Sequence, residues 1–157
     1  MSETSRLADQ IRRAFDGEAW HGDSLFEILG GVDAKVAAAH PIKNAHSIWE
    51  LVLHVAAWDG AALKRTGGTA VELRDEQNFP PVKDTSDAAW SKAIEHAKHT
   101  HKELAKAVAN FPDSRLQEQV PGKAESYYNF FYLFSGIVQH ELYHAGQIAL
   151  LKKAQTR

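Results

Sequence analysis

The stretch from Trp90 to Phe111 repeats its inward residues at a spacing that only a helix can use. Trp90, Ile94, Ala97, His101, Leu104, Val108 and Phe111 follow one another at intervals of 4, 3, 4, 3, 4 and 3. Side chains so spaced line one seam of an α-helix, the pattern by which helices pack side by side. Such a seam has to be covered by other helices, which commits the chain to a helical layer architecture. Pro112 stops the seam, and the histidine inside it needs a reason to be there.

Partner helices are legible elsewhere. Residues 4–15 place Leu7, Ile11, Ala14 and Phe15 on one face and end at Asp16-Gly17. Short helical pieces are expected over 23–29, stopped by Gly30-Gly31, and over 33–39, stopped before Pro41. A second long helix begins at Ser47, where "SIWE" is a capping box pairing Ser47 with Glu50. Its seam is Leu51, His54, Val55, Trp58 and Ala62, and it ends near Gly67-Gly68. The third long helix starts at Thr85 or Ser86. The fourth is expected over 125–153, about 40 Å long, with Phe130, Leu133, Ile137, His140, His144, Ile148 and Leu151 inward. Residues 69–85, with "NFPPVKD" in the middle, look irregular; a connection of that length suits a crossover or a functional cover. The expectation is all-α: a four-helix bundle with a long connection between helices 2 and 3, forming a single domain over 1–157.

Composition narrows the function classes. Eighteen Lys and Arg against 20 Asp and Glu give a net charge of −2, so nothing electrostatic points to nucleic acid. With no cysteine, there is neither a disulfide nor a thiolate ligand or nucleophile, and any metal must be held by nitrogen or oxygen. No charged-then-apolar leader opens the chain and no apolar run reaches about 18 residues, so a cytoplasmic protein without a membrane span is expected. Nine histidines in 157 residues is a high count.

Two of the nine stand in "HELYH", residues 140–144, which reads as H-E-x-x-H. In zinc proteases that signature supplies two ligands and a glutamate base. A protease needs a further ligand downstream, and residues 145–157 contain no His, Asp, Glu or Cys. On a helix His140 and His144 share a face, close enough to reach one ion. They lie on an apolar stripe between Ile137 and Ile148. They are either core histidines satisfied by ordinary hydrogen bonds or ligands of something shared. His54, inward on the second helix, is either structural or the third nitrogen of a site with an open position, the arrangement of catalytic metal centres.

The blocks "HSIWELVLHVAAW" and "QHELYHAGQIALLKK" together resemble the DinB/YfiT-like metalloenzyme superfamily, and the likeness runs from about Leu7 to Lys153. The resemblance implies a four-helix bundle whose second and last helices hold a divalent metal through three histidines. In this sequence these are His54, His140 and His144. It also implies zinc or nickel as cofactor, a homodimer and, in some branches, transfer of a low-molecular-weight thiol to an electrophilic small-molecule substrate. A metal-dependent hydrolase and a non-enzymatic, stress-associated metal-binding bundle are the alternatives.

Other residues keep two readings each. Glu141 is a general base for a metal-bound water or a salt-bridged carboxylate. Tyr143 is a candidate proton donor by adjacency. Gln147 hydrogen-bonds a ligand or simply packs. Glu50 orients His54 or only caps its helix. His46 marks the helix entry or lines the site mouth, and His101 is a fourth ligand or a core histidine bonded to a neighbour. His96 and His99 belong to a solvated face.

Overall fold

Each long helix begins where a side chain can accept the amides that the first turn leaves unpaired. In the computed structural model, which describes residues 1–155, Ser2 accepts from the Ser5 amide at the start of α1 (Glu3–Asp16). The Asp113 carboxylate takes the amides of Glu3 and Thr4 and the Thr4 hydroxyl, tying that helix start to the turn after Pro112. Two short helices follow, α2 (Leu25–Ile28) and α3 (Ala34–Ala38). The capping box expected at Ser47 and Glu50 opens α4 (Ile48–Thr66). One turn, α5 (Asp75–Asn78), interrupts the long connection, and Ser86 caps α6 (Asp87–Ala109).

The last helix, α7 (Phe130–Ala154), starts five residues later than its pattern suggests. Residues 125–129 are not helical. Asn129 is extended and accepts from the Tyr132 amide, while the amides of Phe130 and Phe131 reach back to the carbonyls of Glu118 and Leu116. The preceding loop thus satisfies the first helical amides, and the chain needs no further turn of helix upstream.

No strand forms among the described residues, and the all-α bundle expected from the seams is the fold observed. Around it the order is α1, α6, α4, α7: α4 and α1 each pack against both α6 and α7. The core is in two pieces. One gathers Phe15, Leu25, Trp49, Trp90 and Ile148 at the end covered by α2 and α3. The other gathers Ile11, Leu104, Val108, Phe130 and Phe134. Between them each of three helices carries a buried polar residue: Asp59 on α4, His101 on α6 and Glu141 on α7. The long connection is pinned from inside, where the buried Arg65 guanidinium donates to the Val71 carbonyl at 2.7 Å and lies over the Trp58 ring. No helix among the described residues is long and apolar enough to cross a membrane.

Candidate metal centre

The capped start of α4 sets the helical phase that turns His54 inward, toward α7. There His140 and His144, one turn apart, present their rings on the facing stripe. The Nε2 atoms converge: His140 stands 2.9 Å from His54 and 3.1 Å from His144. His54 and His144 are buried and His140 is half-buried.

The outer nitrogens decide what the inner ones can do. His54 Nδ1 lies 2.8 Å from the Asn78 carbonyl, which can only accept, so the proton sits on Nδ1 and the Nε2 lone pair faces the cluster. His144 Nδ1 is held in the same way by Gln147 Oε1 at 2.7 Å. His140 Nδ1 has no partner although it is buried. A single proton on His140 Nε2 can satisfy one facing lone pair but not both. A cation satisfies all three. Two imidazoles sharing an ion at about 2.0–2.1 Å stand no more than about 4.2 Å apart, a limit that the separations of His140 from His54, 2.9 Å, and from His144, 3.1 Å, both meet. Burial, then the neighbouring rings of His144 and His54, push His140 down to about 3. Burial also lowers His54 and His144. All three are therefore neutral near pH 7, the state that coordination requires. The residues fit a divalent metal with a preference for nitrogen.

The long connection closes over His54. Phe79 stacks on its ring at 4.0 Å, and His46 stacks on Phe79 at 3.9 Å. Trp58 donates from Nε1 to Asn78 Oδ1 at 2.7 Å. Pro80 and Pro81 follow directly, which keeps Phe79 out of the helical region and ends α5 there. Asn78 and Phe79 escaped the sequence reading. Their signal was "NFPP", a polar–aromatic pair fixed by two prolines inside a suspiciously long connection.

The remaining candidates separate. His46 is one ring removed from the centre and touches Glu50, which also accepts the Ser47 amide and does not reach His54. Tyr143 lines the cavity beside the histidines, its ring 5.0 Å from that of His144. Glu141 lies elsewhere: wholly buried, with Oε1 2.9 Å from His101 Nδ1, in ion-pair contact although neither oxygen has an aligned hydrogen bond. His101 also donates to Asp59 at 3.1 Å and stacks on Phe15 at 4.0 Å. Burial opposes the charge on His101, but the two carboxylates outweigh it and push its pKa up to about 9. Burial raises Asp59, and burial with the charge of Asp59 raises Glu141. His101 is thus a core histidine bonded to neighbours and sits outside the three-histidine cluster. Asp59 also escaped the sequence reading, although a carboxylate at position 59, between Val55 and Ala62 on one stripe, was its signal.

A cavity of about 340 Å³ opens on the cluster, walled by His54, His140, His144, Trp58, Ile137 and Tyr143 among others. Residues 19–148 match the sequence model of the DinB superfamily, a stretch that includes all three histidines. Neither a curated protein nor a solved structure gives a significant match.

Proposed function

The chain belongs to the DinB superfamily, and from that membership and the geometry of its histidines we propose a metal-dependent enzyme that transfers a low-molecular-weight thiol to an electrophile. His54, His140 and His144 would hold a divalent zinc or nickel ion. The observation that carries this reading is the convergence of three Nε2 atoms on the wall of an open cavity. Three protein nitrogens leave a coordination position for an exchangeable ligand, whereas a structural site is closed. When bound, the ion supplies Lewis acidity, lowering the pKa of a thiol or a water at that position toward neutrality.

The chain's own residues do the rest. The Asn78 carbonyl and Gln147 fix two rings with their lone pairs inward. Trp58 and Ile137 line the reacting end and limit water there. Tyr143 carries the proton-donor role, since it alone of the two catalytic candidates lines the cavity. Glu141 would have to turn away from His101 to act as a base, so the hydrolase reading asks more of the fold. Because the site joins α4 to α7, a non-enzymatic bundle stapled by metal is the competing reading.

The test is an activity screen of the metal-loaded protein, pairing bacillithiol, mycothiol, glutathione and water with a panel of electrophiles. Metal-dependent thiol consumption that disappears in His144→Ala is the expected result. Turnover with water alone gives the hydrolase. A closed coordination shell with no turnover gives the stapled bundle.

A further inference from the structure

The cavity beside the histidines restricts what can enter it. Trp58, Tyr128, Tyr132, Leu133, Ile137 and Tyr143 form most of its wall, and no Lys, Arg, Asp or Glu is among the described residues lining it. Asn78 is the one amide there, and its Oδ1 is occupied by Trp58. Away from the histidines, a ligand whose body carries a carboxylate or an ammonium group would be desolvated against these rings with no charged side chain lining the wall to meet it, which is costly. A flat apolar body would meet aromatic edges and faces instead.

Gly136 sharpens the point. It stands inside α7, where glycine is unfavourable relative to alanine. Its backbone is not in the left-handed region, and an added Cβ would meet no heavy atom within 4 Å. Neither conformation nor packing requires a glycine here. Gly136 stands where the cavity borders an outer groove: both are lined by Tyr132, Gly136, His140 and Tyr143, and the groove runs past Phe131 and Gln139.

We propose that this cavity binds the uncharged aromatic body of the substrate, and that Gly136 is the residue that admits it. The inference rests on the three-histidine cluster being the reacting end, and it narrows the thiol-transfer reading to a reactant that brings a neutral aromatic body into the cavity.

The first measurement needs no metal. Benzyl alcohol, benzoate and benzylamine are titrated into the metal-free protein by ligand-observed NMR, with wild type and Gly136→Leu compared. Benzyl alcohol is expected to bind at least tenfold more tightly than either ion, and Gly136→Leu to weaken it at least tenfold. The second uses the cobalt(II)-loaded protein. Benzyl mercaptan is expected to give thiolate-to-cobalt absorption at a concentration at least tenfold lower than 4-(mercaptomethyl)benzoate does. Equal or tighter binding of the charged analogues overturns the proposal, as does a Gly136→Leu protein, folded by circular dichroism, that binds benzyl alcohol unchanged. The charged-against-neutral comparison in wild type stands even if the variant does not fold. Selective benzyl alcohol binding without any cobalt–thiolate band would uphold the cavity assignment and sink the thiol-transfer reading.

Discussion

His140 and Glu141 are consecutive on α7, yet their side chains enter two separate polar sites. His140 Nε2 meets His54 at 2.9 Å beside the cavity, and Glu141 meets His101 at 2.9 Å in the closed interior. The step of about 100° between neighbours on a helix makes this possible. One residue faces α4 at the cavity and the next faces the middle of the bundle.

His54→Ala, His140→Ala and His144→Ala are each expected to lower bound metal strongly. Elemental analysis after gel filtration measures it. Full occupancy in the triple variant would remove the site assignment.

Gln147→Ala and Phe79→Ala should weaken metal binding without abolishing it. Each removes a group that holds a ligand ring in place, and partners of this kind are typically worth about 10–100-fold in affinity. Competition with a chromophoric chelator reads the constant directly. Affinities unchanged within twofold would show that the rings need no such support.

Acid should release the metal. Imidazole coordinates only when neutral, so protons compete as pH falls below about 6. Burial lowers all three histidines in the folded chain. The metal-free protein therefore loses stability as pH falls below the ordinary histidine range and on through their lowered folded values. Metal retained unchanged at about pH 4 would contradict ligation by histidine alone.

Alkali should act on the other cluster. His101 is raised to about 9 in the folded chain. Its contribution is fully present below the ordinary histidine pKa and is lost as pH rises through about 9. The raised carboxyls of Asp59 and Glu141 push in the same direction, since the folded state again holds the extra proton. The midpoint for urea unfolding of the metal-free protein should fall between pH 7 and pH 10. His101→Ala, which leaves two buried carboxyls without their cation, should cost about 3–5 kcal/mol and remove the part of that dependence centred near 9. An alkaline loss centred near 9 that is unchanged in His101→Ala would place its origin elsewhere.

Much of this could be read from periodicity. The seams of α4, α6 and α7 predict the bundle, and the stripes through His54 and through His140 and His144 turn these residues inward without fixing the level at which they meet. Periodicity does not report where a helix starts when a loop satisfies its first amides. That is why α7 begins at Phe130, later than its pattern suggests. Nor does it report contacts between distant segments, so the clamp of Asn78 and Phe79 on His54 was hidden. The partnership of His101 with Asp59 and Glu141 depends on three helices meeting at one height, which no single seam encodes.

That shared height governs alignment. Sliding α7 along α4 by one turn, about 5.4 Å, would still match apolar stripe to apolar stripe, because both cores are built of similar residues. It would also carry Glu141 off His101 and strand its carboxylate at the level of Ala97 or of Leu104, the buried apolar residues one turn either side of His101 on α6. Asp59, His101 and Glu141 thus act as a register pin, the role a lone buried polar residue takes in coiled coils. The same pin sets the level at which His140 and His144 arrive opposite His54.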